Sequence, residues 1–370
     1  MNELTIVPKV LRFETVKEYM EEFSFNEEDL IITNRFIFEP FFNVENTKAE
    51  LLYQEDFGHG EPSDVMVEEM YASIARRPKR VIAIGGGTVI DIAKLFALKN
   101  VLPVEDLFDH KLEFIKDKEL IIIPTTCGTG SEITKISILN LTKKNTKKGL
   151  VVDELFADQA VLIPELLKTL PFEFFGTSSV DALIHAVESV LSPLASTTTK
   201  VFGYKAIELI INGYVGIKEY GPEKRFDLLD DFLIASLYAG ISFGNAGTGA
   251  IHALSYPLGA AYHVAHGEAN YAIFMGVMNK YLSIKDDGEI NVLNQFIANL
   301  INCEVIDVYQ KLEELMTAII RRKPLKEYGV TTNDLDTFTD SVIENQQRLL
   351  KNNFTCLARE DIFDIYKELY

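Results

Sequence analysis

The 370-residue chain is poor in basic residues and cysteine, and it lacks a long uninterrupted apolar run. Its 36 Lys and Arg residues are outnumbered by 55 Asp and Glu residues, which gives a formal net charge of -19. This acidity argues against nucleic acid or an anionic membrane as the main partner. Cys127, Cys303 and Cys356 are odd in number and widely spaced, which favours a reducing, cytoplasmic setting over a disulfide framework.

The sequence also lacks the features of membrane proteins and of secreted proteins. No apolar stretch reaches the length of a membrane span, and the first residues, MNELTIVPKVLRFE, do not contain the apolar core of a signal peptide. We therefore expect a cytoplasmic protein without a membrane partner.

The chain is long for one hydrophobic core, so two domains are expected. Up to about residue 175, short apolar strands alternate with helical segments, which predicts an open parallel α/β sheet. Candidate strands are 29–33, 49–53, 80–84 and 120–124. After Pro171 the pattern is helical, at 178–191, 200–214, 226–243, 248–259, 269–284, 306–321 and 334–350. The prediction is a Rossmann-like α/β domain over 1–173 and an all-α domain over 174–370.

Four side chains have the composition of a metal site. Asp181 and His185 lie four residues apart in SSVDALIHAVESV (178–190), whose helical periodicity places both on one helix face. His252 and His266 begin and end HALSYPLGAAYHVAH, in a chain with only six histidines. One carboxylate and three imidazoles suit iron(II) or zinc. Because an Asp-x-x-x-His pair alone is commonly a surface or packing pair, this interpretation depends on the rest of the chain.

The segment KRVIAIGGGTVIDIAKLFAL (79–98) is typical of a buried strand, a glycine turn and a helix. Glycines let the backbone approach a phosphate, and a helix start offers free N–H groups. Thr88 is the expected N-cap, and Asp91 completes a capping-box pattern three residues later. The segment departs from the GxGxxG fingerprint because residue 90 is Ile90. A strand-to-helix turn that needs only glycine's freedom is the alternative.

A second segment, ELIIIPTTCGTGSE (119–132), leads from an apolar strand into a loop of small and hydroxylated residues. Hydroxyl groups of this kind can bind phosphate, ribose or base edges. In this loop they belong to Thr125, Thr126, Thr129 and Ser131.

The motifs GGGTVIDIAK, PTTCGTGSE, DALIHAVES and HALSYPLGAAYHVAHGEAN occur in the order and spacing of the iron-containing, or group III, alcohol dehydrogenases. The chain resembles that family over nearly its whole length, and four ordered motifs are more specific than any one. Within the family it is most similar to members that act on 4-hydroxybutyrate, on the stretches FGHGEPSD, FGNAGTGAIHALSYPLG, GEANY and QQRLLKNNF. The resemblance implies a dehydroquinate synthase-like architecture, with a nucleotide-binding α/β domain before a helical metal-binding domain.

The resemblance also implies residue roles. The metal would be bound by four ligands, Asp181, His185, His252 and His266. The cofactor would contact the two loops, through Gly86, Gly87, Thr88, Thr125, Thr126, Thr129 and Ser131. Asp91 would order the first loop. Lys147 and Lys148, in the patch KKNTKK (143–148), match a region where the family places a lysine near the adenosine, whereas a solvated hairpin tip is the alternative for that patch.

Three positions depart from the family pattern. Many members carry a histidine four residues after the third ligand, close to the nicotinamide, where this chain has Tyr256. A phenol is a far weaker acid than an imidazole at neutral pH, so we expect a proton relay through His263 or water. Ala265 replaces the proline of a Pro-His-Gly motif, which should alter loop stiffness more than chemistry. Asn34 stands where NAD-preferring relatives often carry Asp.

The residue after the first strand affects cofactor choice. An Asp there accepts from the ribose 2′-hydroxyl and repels a 2′-phosphate. Asn34 keeps the hydrogen bond but loses the repulsion, and Arg35 lies beside it. We expect NAD, because the most similar members use it, with NADP as the open alternative. Iron(II) is the expected metal and zinc the alternative, since both accept the same ligands.

The expected activity is reversible, metal-assisted hydride transfer between 4-hydroxybutyrate and NAD, with succinate semialdehyde as the aldehyde. The substrate carboxylate needs a cation or several donors, for which the candidates are His263, Tyr256, Asn245, Arg348 and Lys351. The alternatives are a group III alcohol dehydrogenase acting on a small diol or primary alcohol, a zinc-dependent lyase or hydrolase of the dehydroquinate synthase branch, and a nucleotide-binding module without catalysis. The expected partner is a small-molecule substrate, and we expect a homo-oligomer.

Overall fold

The computed structural model describes residues 3–144 and 146–370, which form two compact units. One unit is Ile6–Leu170, and the other is Pro171–Tyr370 together with the described residues 3–5. The boundary expected between 173 and 174 falls in the first turn of a helix that begins at Phe172.

The first unit is built on a parallel sheet of six strands in the order β1-β8-β5-β4-β2-β3, beside an antiparallel hairpin of β6 and β7. The eight strands are β1 Lys9–Arg12, β2 Asp29–Thr33, β3 Glu50–Tyr53, β4 Arg80–Gly85, β5 Glu119–Pro124, β6 Ile136–Leu141, β7 Thr146–Val151 and β8 Gln159–Leu162. The helices of this unit are α1 Val16–Glu22, α2 Arg35–Phe38, α3 Asp64–Ser73, α4 Gly87–Phe96 and α5 Val104–Phe108.

The central strands are apolar on both faces because both faces of the sheet are covered. In β4, Val81 and Ala83 pack in one buried cluster with α4, while Ile82 and Ile84 pack in a second cluster with α1 and α2. All four side chains are fully buried. This is why the sequence shows short apolar runs here and no alternation of polar and apolar residues.

The register of the sheet brings several loops to one edge. Ile32 on β2 pairs with Ala83 on β4, and Gly85 at the end of β4 pairs with Pro124 at the end of β5. Parallel strands share the direction of their carboxyl ends, where ligands bind in open α/β sheets. The loops that follow β2, β3, β4 and β5 therefore begin along the same edge.

The second unit is helical over its described residues. Its helices are α6 Phe172–Leu191, α7 Thr197–Tyr220, α8 Leu229–Ala246, α9 Ala250–Tyr262, α10 His266–Ile284, α11 Glu289–Ile301, α12 Val308–Met316, α13 Thr332–Asn345, α14 Gln347–Leu350 and α15 Arg359–Leu369. The helices α6, α7 and α8 pack on one another, and α10 packs on both α6 and α9. This arrangement brings one face of α6 next to the first turns of α9 and α10.

The predicted fold class is confirmed: a parallel-sheet α/β unit is followed by a helical unit. All four predicted strands are present within a residue or so of their expected bounds. The prediction missed β1, β6, β7, β8, α11 and α15. The helix expected over 334–350 is interrupted at Gln346, where α13 ends and α14 begins. The basic patch lies on the β6–β7 hairpin, although residue 145 is outside the described residues.

Candidate metal centre and nucleotide-binding loops

The four predicted ligands converge within the helical unit. Asp181 and His185 lie one turn apart on α6, His252 lies in the first turn of α9, and His266 is the first residue of α10. One candidate ligand atom from each of the four lies within 4.8 Å of the others. Three separate helices thus deliver one carboxylate and three imidazoles to a single centre.

The distances within this centre fit one divalent ion. The Nε2 atoms of His185 and His252 are 3.0 Å apart, and Asp181 Oδ1 lies 3.9 Å from Nε2 of both His252 and His266. Two ligands on one tetrahedral ion are roughly 3.4 Å apart when each bond is about 2.1 Å long. The observed separations lie on both sides of that value, so the side chains present fit the metal that their chemistry suggests.

The neighbouring imidazoles favour an ionised Asp181. Burial opposes its ionisation, but attraction from His185, His266 and His252 outweighs burial, and the pKa of this carboxyl lies below its usual value. The side chains of Asp181, His185 and His252 are buried, whereas that of His266 is 25% exposed. His266 therefore marks the side of the centre that is open to solvent.

A second layer of side chains holds the ligands in place. The ring of Phe243 stacks on His185, with centroids 4.2 Å apart. Asn270 donates to Asp181 Oδ1 at 2.7 Å. Glu188 contacts the other ring nitrogen of His252, with its Oε2 2.5 Å from Nδ1. The sequence interpretation missed Phe243, Asn270 and Glu188. The available signal was spacing, because Glu188 follows His185 by three residues and Asn270 follows His266 by four.

The catalytic candidates Tyr256 and His263 have different surroundings. Tyr256 lies one turn after His252 on α9, is buried, and its ring centroid is 6.1 Å from that of His266. His263 is exposed at the C-terminal cap of α9, with a left-handed φ of 54°. The structure therefore places Tyr256 beside the ligands and His263 on the short connection that leads to His266.

The expected N-cap at Thr88 is wrong. The helix α4 begins at Gly87 with Gly86 as its N-cap, because the Gly86 carbonyl already accepts from Ile90 N at 3.1 Å. Thr88 lies inside the first turn, and its hydroxyl donates to the Gly60 carbonyl at 3.1 Å. Asp91 does not complete a capping box either, since it accepts from other segments of the unit.

The two glycine-containing loops touch each other. A Cβ on Gly87 would stand 2.9 Å from Thr129 Cγ2, and one on Gly86 would stand 3.1 Å from Thr126 Cγ2. The lack of side chains on these glycines allows the loop after β4 to lie against the loop after β5. Thr125 Oγ1 is buried at the end of β5, without a hydrogen-bond partner among the described residues. The two loops are therefore packed together, and the buried Thr125 hydroxyl retains hydrogen-bonding capacity.

A buried polar cluster underlies the second loop. The ammonium group of Lys94 donates to Ser131 Oγ at 2.7 Å and to the Ile136 carbonyl at 2.6 Å. Ser131 Oγ in turn donates to Asp91 at 2.7 Å, and Asp91 also accepts from Ile138 N at 2.9 Å. Asp91 therefore orders the loop after β5, whereas the sequence interpretation assigned it to the loop after β4. Lys94 was not anticipated as part of this site.

Asn34 contacts one amide and one carboxylate. Its side-chain amide donates to Gln54 at 3.1 Å and to Glu55 at 2.8 Å. Arg35, which could have met a phosphate, instead forms a two-point ion pair with Asp56, with N–O distances of 2.6 and 2.7 Å. The side chains that follow β2 and β3 are thus joined into one network with an excess of negative charge.

The lysines of the hairpin are paired with acids. Lys148 lies 3.0 Å from Asp109, which also binds Lys144, and these lysines hold the pKa of the Asp109 carboxyl below its usual value. Lys147 is 2.7 Å from Glu61, in the loop that also receives the Thr88 hydrogen bond, and its side chain is only 13% exposed. Lys147 is therefore better placed than Lys148 to act near the glycine loop.

The remaining candidates for binding a substrate carboxylate are one amide and two cationic side chains. Asn245 Nδ2 donates to the carbonyls of Thr5 and Ile241, while Arg348 and Lys351 are exposed. The Asn245 side chain is therefore already bonded to backbone oxygens of its own unit.

Over residues 3–144 and 146–370, no helix is both long enough and apolar enough to cross a bilayer.

Comparison with known sequences gives the class. Residues 8–164 match the iron-containing alcohol dehydrogenases, and residues 175–370 match the C-terminal part of the Fe-containing alcohol dehydrogenase family. The chain belongs to the iron-containing alcohol dehydrogenase family, and it is an oxidoreductase of the alcohol dehydrogenase type.

The chain is also similar to individual members of this family. The chain is 48% identical to the 4-hydroxybutyrate dehydrogenase of Clostridium kluyveri over 371 aligned residues, which cover 100% of both sequences. It is 33% identical to long-chain-alcohol dehydrogenase 1 of Geobacillus thermodenitrificans, over 78% of this chain and 74% of that one. Among solved structures, the sulfoacetaldehyde reductase of Bifidobacterium kashiwanohense, crystallised with NAD+, superposes with a TM-score of 0.84 at 22% identity, covering 100% and 98% of the two chains. That last likeness shows the fold.

Proposed function

We propose that this protein interconverts 4-hydroxybutyrate and succinate semialdehyde, with NAD as the hydride carrier and iron(II) as the bound metal. The observation that carries the proposal is the convergence of Asp181, His185, His252 and His266 on one centre. The full-length similarity to a 4-hydroxybutyrate dehydrogenase supports the choice of substrate.

The ligand set supports a metal of charge +2. A divalent ion bound there would polarise the oxygen of the alcohol or the aldehyde. Asp181 and Glu188 are both buried, and the ion pairs that the described residues make with them come from imidazoles. Two buried carboxylates without Lys or Arg partners are costly, and a divalent cation offsets their charge.

Proton movement is assigned to His263 or water, with Tyr256 beside the ligands. Tyr256 is buried near His266, where its hydroxyl can orient a substrate oxygen or a water molecule. His263 is exposed and can exchange protons with solvent. In this proposal the proton passes along the solvent-facing side of the centre, which is the side of His266.

The network around Asn34 supports NAD. A 2′-phosphate carried near the end of β2 would meet the carboxylates of Glu55 and Asp56. Arg35 is already bound to Asp56 and is not available to neutralise that phosphate. The ribose 2′-hydroxyl of NAD, in contrast, can donate to a carboxylate.

The test is an assay of metal-free protein after anaerobic reconstitution with iron(II) or zinc. Succinate semialdehyde, butanal and 3-hydroxypropanal are compared as substrates, each with NADH and NADPH. We expect the highest kcat/KM for succinate semialdehyde with NADH and iron(II). A higher value for an uncharged aldehyde would reassign the substrate to a simple alcohol or diol, and cofactor binding without NADH oxidation would contradict the dehydrogenase assignment.

A further inference from the structure

We infer that Glu188 is a positioning residue for the metal centre: its carboxylate holds His252 with a proton on Nδ1, so that Nε2 is free to bind the metal. The inference rests on the metal site of the proposed function, and it assigns a role to a side chain that is not itself a ligand.

Both oxygens of Glu188 are engaged by α9. Oε2 lies 2.5 Å from His252 Nδ1, and Oε1 accepts from the backbone N–H of Ile251 at 2.6 Å. The first N–H groups of a helix lack partners within the helix. Gly249, the N-cap of α9, has no side chain to supply one. Glu188 therefore binds the start of α9 and the ring of its ligand at the same time.

The position of Glu188 on α6 follows from helical spacing. Asp181, His185 and Glu188 are separated by four and then three residues, which places them along one face of the helix. One helix thus supplies two ligands and the carboxylate that orients a third ligand on a neighbouring helix. A small shift of α9 against α6 would disturb the carboxylate contact and the ligand geometry together.

The ring of His252 has two distinct neighbours. Its Nδ1 faces Glu188, whereas its Nε2 lies 3.0 Å from His185 Nε2 and 3.9 Å from Asp181 Oδ1. A carboxylate can only accept a hydrogen bond, so a neutral imidazole beside it carries its proton on Nδ1. That tautomer leaves the Nε2 lone pair directed at the shared centre.

The first test compares Glu188→Gln with Glu289→Gln, using cobalt(II) as the metal. Glutamine keeps the size of the side chain but replaces one acceptor by a donor, which opposes the Nδ1–H tautomer. Glu289 is a partly buried carboxylate of the same unit whose hydrogen bonds run to Lys200 and Tyr204. We expect Glu188→Gln to weaken cobalt(II) binding about 10–100-fold and to alter the visible cobalt spectrum, with Glu289→Gln unchanged. Equal affinity and an identical spectrum in the two variants would overturn the inference.

The second test is independent of any variant. Nitrogen NMR of 15N-histidine-labelled, zinc-loaded wild-type protein reports which ring nitrogen of His252 carries the proton. We expect protonated Nδ1 and metal-bound Nε2, and the reverse arrangement would refute the inference even where Glu188→Gln does not fold. Both tests measure metal binding and not catalysis. If wild-type protein failed to reduce succinate semialdehyde, that result would contradict the proposed function, but it would not contradict the role of Glu188.

Discussion

Asn34 donates its side-chain amide to the carboxylate of Glu55 across 2.8 Å. The same carboxylate accepts from the backbone N–H of Arg35 at 2.7 Å, so one acid joins the loop after β3 to the residues that follow β2. The negative charge that Asn34 itself lacks is thus supplied by a neighbour 21 residues further along the chain.

This relationship predicts that Glu55 governs the preference for NADH over NADPH. Glu55→Gln should lower the ratio of kcat/KM for NADH to that for NADPH by roughly 10-fold, since a charged hydrogen bond contributes about 1.5–3 kcal/mol. Asn34→Asp should raise the ratio. Exposed Glu45, changed to Gln, is the control. If neither variant changed the ratio, Asn34 and Glu55 would not be part of the cofactor site.

His252 is expected to be essential for the metal but not for the nucleotide. His252→Ala removes one of three imidazoles and should reduce metal content to background and turnover by orders of magnitude. NADH affinity, followed by fluorescence, should be largely kept. His110, exposed in the α/β unit, provides the histidine control. Normal metal content in His252→Ala would contradict the assignment.

Gly267 allows α10 to approach α6. A Cβ at this position would stand 2.2 Å from the Thr177 carbonyl oxygen and 3.2 Å from Asp181 Cβ. Gly267→Ala should therefore lower the free energy of unfolding by about 1–3 kcal/mol and weaken metal binding. Gly216, inside α7, meets no atom closer than 3.7 Å. Its replacement by Ala should stabilise the protein by about 0.5–1 kcal/mol. Thermal unfolding measures both variants, and melting temperatures that shifted in the same direction would refute this packing argument.

Glu132 predicts a pH dependence of stability. Burial is the main cause that raises the pKa of its carboxyl to about 7, from an ordinary value of 4.5. A carboxyl that holds its proton more tightly when folded favours folding below pH 4.5, and this contribution is lost as the pH rises to about 7.

The variant Glu132→Gln should therefore become more stable relative to wild type as the pH rises from 4.5 to 7. We expect a relative gain on the order of 1–3 kcal/mol, since one pKa unit corresponds to about 1.4 kcal/mol. Urea unfolding at a series of pH values measures it, with exposed Glu113→Gln as the control. A constant difference across this range would show that Glu132 is ionised in the fold.

The metal ligands were predicted from the sequence, but the residues that support them were not. Asp181 and His185 were recognisable because helical spacing is a local property, and the motif order connected them to His252 and His266. Helical spacing placed Glu188 on the same face as His185, but only tertiary packing shows that its partner, His252, lies on another helix. Short strands such as β1 have little local signal, because three of its four residues are exposed.

The sequence pattern also predicted the wrong N-cap for α4, where two neighbouring residues could begin the helix. The sequence of Thr88 and Asp91 matches a capping box, but in the structure the N-cap is Gly86, which has an extended conformation. The helix α11 has boundary residues that are typical of helix ends, because Gly288 precedes it and Asn302 follows it with a left-handed φ. Such boundary residues are informative where apolar periodicity is weak.

The ammonium group of Lys94 ties the segment after β5 to the strand beyond it, through Ser131, Thr134 and Ile136. These hydrogen bonds hold the segment in place without any contribution from a nucleotide. In the proposed complex, association would require little loss of chain entropy from this part of the protein. Discrimination between dinucleotides would then depend on fit to a preformed surface, and much less on a loop that closes around its ligand.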